Sequence, residues 1–137
     1  MLIERGACGE VLGSYRDVKE EPVVMNGQRL SGVWIRWLIR PGEGEARGFA
    51  MRVFRVEPGA VIPAHKHPWE HGIFVLRGKV TIRVGKARYV LSANDFMLIP
   101  PNVEHEYVNI GDEDLEFICV IPSSATVADD YNPCGKG

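Results

Sequence analysis

Apolar and polar side chains alternate along most of this chain, in short runs broken by turn residues. In Val33-Trp34-Ile35-Arg36-Trp37-Leu38-Ile39, the odd positions put Val, Ile, Trp and Ile on one face of a strand. Phe49 to Val56 is a similar run, closed by Pro58-Gly59. His71 to Leu76 turns at Arg77-Gly78-Lys79, and Val80-Thr81-Ile82-Arg83-Val84 returns. Tyr89 to Leu91, Phe96 to Ile99, His105 to Asn109 and Leu115 to Ile121 complete the pattern. Near the start, Asn26-Gly27 between Met25 and Gln28 suits a two-residue hairpin turn. No window sustains a helical period, and no long repeat is present. The chain therefore reads as all-β, with antiparallel strands forming a sandwich, jelly roll or closed barrel. Ser123 to Gly137 is small and polar and is expected to end loosely.

Composition narrows the setting. A length of 137 residues fits one domain spanning 1–137. A chain of this size buries roughly 70% of its unfolded surface, so it needs no disulfide staple. Its 45% hydrophobic content excludes low-complexity disorder. No apolar run approaches the ~20 residues of a membrane helix. Met1-Leu2-Ile3-Glu4-Arg5 lacks the basic-then-apolar form of a secretory signal. Sixteen basic residues interspersed with eighteen acidic ones leave no footprint for nucleic acid. Three cysteines, Cys8, Cys119 and Cys134, show no C-x-x-C spacing. They read as free thiols in a reducing cytoplasm, with a Cys8–Cys134 link between the chain ends as the alternative.

Histidine carries the chemistry. Of four histidines, His65, His67 and His71 fall within seven residues around a Pro68-Trp69-Glu70 turn, and His105 follows Pro100-Pro101-Asn102. On one strand, positions 65 and 67 project to the same face about 7 Å apart, a workable bite for one metal ion. His71 opens the next strand on the apolar face of Ile73 and Val75. A lone histidine on an apolar face is usually a hydrogen-bonded core residue. Several in one barrel each need a partner or a ligand role, which favours a metal.

These residues resemble the two motifs of the cupin superfamily. The first is a glycine, His-x-His, a glutamate and a second glycine, and Gly59, His65, His67 and Gly78 fall at its spacing. The second is met by Pro100, His105 and Asn109, with Asn94 and Asn102 replacing its glycines. Asparagine tolerates the positive φ such positions need. The motifs span residues 59–78 and 94–109, flanked by N-terminal strands in 1–48 and a tail from 123. The resemblance implies a cupin-type antiparallel barrel, a double-stranded β-helix or jelly roll. His71 stands where the family usually has glutamate, as in small single-domain cupins that bind manganese through four histidines. The implied ligands are His65, His67, His71 and His105, holding a divalent ion: manganese first, iron second, with zinc, nickel or copper also able to bind. Glu70, adjacent to His71, should point to the opposite face. Four neutral imidazoles leave the ion both of its charges, where a glutamate would remove one.

Strand parity places further residues. Phe117, Cys119 and Ile121 should face inward and Glu116 outward, with Cys119 near the pocket as a buried filler or a ligand. Ile73 would line the floor. Tyr107 shares a side with His105, to pack or to donate a hydrogen bond. Arg52 and Arg55 lie on opposite faces, and Arg52 is the candidate pocket cation for an anionic group, or else a solvated or dimer-facing arginine. Trp69 covers the metal mouth or wedges the turn. Trp34 and Trp37 face opposite sides of one strand, so one can fill the core while the other meets a partner in a homodimer. The first functional expectation is a metal-dependent oxidoreductase using dioxygen or peroxide on a small organic substrate. The alternatives are a non-catalytic module that binds a small molecule at the metal, and a redox-silent isomerase or decarboxylase.

Overall fold

A computed structural model describes residues 3–40 and 48–123. It contains β1 (Glu4–Arg5), β2 (Val11–Leu12), β3 (Glu21–Met25), β4 (Gln28–Ile39), β5 (Phe49–Val56) and β6 (Val61–His65). These are followed by β7 (His71–Arg77), β8 (Lys79–Val84), β9 (Ala87–Ser92), β10 (Phe96–Ile99), β11 (His105–Asn109) and β12 (Leu115–Pro122). Among the described residues one 3-10 turn, Tyr15–Asp17, is present, capped by the Ser14 hydroxyl. Every strand pairing is antiparallel, in a six-stranded sheet β10-β7-β12-β5-β4-β3 and a four-stranded sheet β6-β11-β8-β9, with β1-β2 as a separate ribbon. This is a jelly-roll arrangement, one of the forms the alternation allowed and the one the cupin resemblance implied.

Period-two patterning explains the core. Along β7, His71, Ile73 and Val75 are buried, while Gly72, Phe74 and Leu76 are not. Val33, Ile35, Phe54, Val56, Phe117 and Cys119 of the large sheet meet Ile62, Val80, Ile82, Leu91 and Tyr107 of the small one. Phe54 stacks on Phe117 at 5.1 Å and Phe117 on Tyr107 at 5.3 Å, so an aromatic column joins the sheets. Each such side chain contributes about 1.5–3 kcal/mol by leaving water.

The turns follow the motif residues. Asn26 and Gly27 take φ of 51° and 78° between the paired Met25 and Gln28, the left-handed pair a tight hairpin requires. Asn94 and Asn102, at the two glycine positions of the second motif, adopt φ of 77° and 62°. Gly78 combines φ of 88° with a close approach, since a Cβ there would sit 2.8 Å from the Leu115 Cα. The glycine is fixed by space as well as by conformation.

Two expectations need correction. β6 ends at His65, so His67 lies beyond the strand and does not share its face by simple alternation. Glu116 does point to the outer side of β12, yet it is only 2% exposed. Tyr15 donates its hydroxyl proton to Glu116 at 3.1 Å and Arg77 donates from Nε at 3.0 Å, so other parts of the chain replace the expected solvent. Cys134 lies outside the described residues, and the Cys8–Cys134 pairing with it. Among the described residues Cys8 and Cys119 are free, and no helix is long and apolar enough to cross a membrane.

Candidate metal centre

Sheet register brings distant histidines together. His105 of β11 pairs directly with His65 of β6, and their rings lie 4.3 Å apart. The register of this pair of strands shifts between His105 and Tyr107, a bulge of the kind that re-aims side chains beside functional sites. Past the end of β6, the loop that carries His67 is held by Asn102, whose backbone N–H donates to the His67 carbonyl at 2.8 Å. The left-handed turn at Asn102 thus supports a ligand candidate of the other motif. His71 begins β7, opposite Ile99 of β10.

Three of the four rings are oriented alike. Nδ1–H of His65 donates to the Pro63 carbonyl at 2.8 Å, that of His67 to Trp69 at 2.9 Å, and that of His105 to Val103 at 2.8 Å. A proton fixed on Nδ1 leaves Nε2 as a bare lone pair, the arrangement by which outer hydrogen bonds set metal-ligating imidazoles. The candidate ligand atoms of His65, His67 and His105 all lie within 4.8 Å of one another. His105 is fully buried and its Nε2 has no hydrogen-bond partner. A buried, unbonded acceptor is costly unless something fills its need, and a cation does so. The donor set fits a divalent metal ion.

His71 holds a different position. Its Nε2 is 2.6 Å from Nε2 of His67, and its Nδ1 faces the Cys119 Sγ at 3.2 Å and the Tyr107 hydroxyl at 3.4 Å. With the proton on Nδ1, His71 presents a fourth bare nitrogen beside the other three. With the proton on Nε2, it donates to His67 instead. Cys119 and Tyr107 therefore touch the group that decides between a set of three and a set of four. Glu70 is exposed and outside the cluster, as its position next to His71 requires.

Burial keeps the rings of His67, His71 and His105 neutral. Desolvation pushes His67 down to about 4, against the hydrogen bond to Trp69 and with help from His65. His105 is likewise lowered to about 4, chiefly by desolvation. His71 falls to about 2, from desolvation and then the neighbouring His67 and His105. Imidazole ligates only when neutral, so burial prepares the site at ordinary pH. Desolvation also raises the Tyr107 phenol and the Cys119 thiol, both of which stay protonated.

His65, His67 and His71 open on a cavity of about 330 Å³. Its lining includes His65, His67, His71, Arg52, Tyr107, Phe117 and Cys119. Ile73, only 3% exposed, belongs to the core and is not part of that lining. Trp69 stacks on His67 at 4.2 Å with rings 5° apart, which makes it a wall of the site. Alternation alone did not reveal that Trp37, Phe54 and β3 residues such as Val23 and Met25 form the rest of the wall. The available signal was the pairing of Trp37 with Arg52, which depends on strand order.

Comparison with known proteins agrees with this geometry. The Cupin domain family profile matches residues 52–121, slightly more than half the chain. Polyketide synthase CurC of Streptomyces cyaneus is 30% identical over 104 residues, covering 74% of this chain and 64% of that protein. The 1-methylthio-D-xylulose 5-phosphate methylsulfurylase of Rhodospirillum rubrum is 31% identical over 71 residues, covering 52% of this chain and 46% of its own length. The matches thus span less than two thirds of either relative. The structure of the polyketide cyclase RemF from Streptomyces resistomycificus superposes with a TM-score of 0.75 at 25% identity, over 89% of this chain and 87% of that one. With the family's fold, its motif residues and a convergent histidine cluster all present, this chain belongs to the cupin family.

Proposed function

We propose that this cupin is a metal-dependent enzyme for a small, flat, oxygen-rich organic substrate, and that its chemistry is redox-silent activation of a carbonyl or enol. The observation that carries the reading is the convergence of three bare Nε2 atoms beside an aromatic-walled cavity. His65, His67 and His105 would hold the ion, with His71 as a fourth donor when its proton rests on Nδ1. A divalent ion held by neutral nitrogens supplies Lewis acidity to a bound oxygen. Trp37, Phe54, Trp69 and Phe117 would exclude water and pack against a planar ring. Tyr107 and Cys119 would govern where the His71 proton sits. Likeness to polyketide-forming relatives supports a substrate of this class.

The second reading is the oxidoreductase. All-nitrogen donor sets suit redox-active ions such as iron, and manganese is the ion suggested by the four-histidine resemblance. One experiment separates the readings. The protein, loaded in turn with manganese, iron and zinc, is given 1-phenylbutane-1,3-dione in deuterated buffer while α-proton exchange and dioxygen uptake are followed together. Accelerated exchange with no oxygen uptake, with zinc as well as manganese, is expected. Oxygen uptake matching substrate loss would establish the oxidoreductase instead, and saturable binding without either would leave a binding module. The proposed homodimer would use Trp34, because Trp37 is committed to the cavity wall.

A further inference from the structure

We propose that Arg52 is a built anion subsite, and that the substrate of this pocket is a flat organic acid whose oxyanion supplies the guanidinium's missing counter-charge. The inference rests on the enzyme reading for its substrate class, but the subsite itself stands on separate observations. Arg52 lies in the middle of β5 between Trp37 of β4 and Cys119 of β12, and it lines the cavity that the histidines open on. Its guanidinium carbon is 5.3 Å from the Trp37 ring centre and 4.9 Å from that of Phe54. These rings hold a planar cation in place while leaving its in-plane N–H groups for other partners.

Those partners are largely missing. One Arg52 terminal nitrogen donates to the Cys119 Sγ at 2.9 Å, a neutral and weak acceptor. The Nε is buried and has no hydrogen-bond partner. Among the described residues, no carboxylate lies within ion-pair distance of Arg52. Glu21 lines the same cavity, but it is taken by Arg40 at 2.8 Å. Arg52 is only partly exposed and its buried Nε is left unbonded, so an arginine that only cemented the fold would have acquired a partner for that donor. Arginine's donor fork matches a carboxylate in two parallel hydrogen bonds. With His65, His67 and His71 lining the same cavity, the pocket suits an aromatic acid bearing a second oxygen.

The test compares salicylate with salicylamide, its uncharged analogue, by calorimetry on the wild-type protein, both zinc-loaded and metal-free. Salicylate should bind at least roughly tenfold more tightly than the amide in both forms. In Arg52→Met the preference should vanish, amide binding should persist, and zinc stoichiometry should match wild type. The unliganded variant should melt no lower than wild type, since an uncompensated charge has been removed. Arg52→Lys, which keeps the charge and loses the fork, should retain only part of the preference. A preference that survives in Arg52→Met overturns the proposal. So does one that disappears on metal removal, because the acid then sits on the metal ion, a result that leaves the enzyme reading intact. If Arg52→Met fails to fold, the arginine is structural, unless Arg52→Lys folds with full zinc content and a reduced preference.

Discussion

Arg52 and Arg55 stand three residues apart on β5, on opposite faces of one sheet, and their surroundings could hardly differ more. On the outer face, Arg55 makes a two-pronged contact with Glu20 at 2.8 and 2.9 Å and a third hydrogen bond to Asp114 at 3.2 Å. Hydrogen bonding to Glu20 and the attraction of nearby acids raise the Arg55 pKa, and the hydrogen bond from Arg55, with the positive charges of Arg55 and Arg36, holds Glu20 below the usual carboxylate range. Arg36 and Arg77 extend the network to Glu20, Asp114 and Glu116. Even Trp34 on that side finds a carboxylate, donating its indole N–H to Glu57 at 3.1 Å. The inner face has Arg52 with an unbonded Nε and His105 with an unbonded Nε2. The outer cluster is ion-paired throughout. Among the described residues the inner face carries a buried donor and a buried acceptor left unsatisfied, which is how a binding site differs from a structural ion network.

The sharpest way to break this contrast is at the inner face. His105→Ala removes the deepest nitrogen and should lower metal affinity by at least ~100-fold, more than the loss of an outer-shell partner. Elemental analysis of purified protein would read it, and full metal content in a folded variant would refute the cluster as a metal centre.

Acid comes next. For metal-free protein, His67 and His105 titrate near 4 when folded, against about 6.5 in the unfolded chain. The unfolded state therefore binds more protons between these values, so stability is full above about pH 6.5 and is lost as pH falls toward 4. The fully buried His105 alone accounts for on the order of 3 kcal/mol over that window. A flat melting temperature from pH 7 to 4 in metal-free protein would contradict it, and added metal should shift the loss to lower pH by competing with protons.

The outer face should respond least. Glu20→Gln breaks the two-pronged contact with Arg55 but leaves Asp114 in place, so about 0.5–1 kcal/mol is expected. That loss should shrink in high salt, as screening weakens the wild-type pair. A larger, salt-independent loss in urea unfolding would mean that the network carries more of the fold than its partial exposure suggests.

Much of this was legible in the residues. Runs such as Phe49 to Val56 and His105 to Asn109 show the strand period without help from distant contacts, and both match strand limits in the structure. Asn94 and Asn102 marked left-handed turns because few other non-glycine residues accept that backbone. Parity separated Arg52 from Arg55 and turned Cys119 inward. Other features depended on pieces far apart in the chain. Glu116 is buried by Tyr15, 101 residues away, so alternation could give its direction but not its exposure. Ile73 was correctly placed inward, yet how far the cavity extends depends on β3 and β4 as well as β7. The His71 tautomer turns on Tyr107 and Cys119, which only the closed barrel brings to it.

By itself, the sequence determined most of the strands and turns, because these follow from side-chain period and backbone preference over a few residues, while the candidate histidines came from what the motif resemblance implies. The tertiary structure decided which donors converge and which buried donor and acceptor are left unsatisfied among the described residues. Those outcomes depend on strand order and register, which set the distances between residues that the chain keeps far apart.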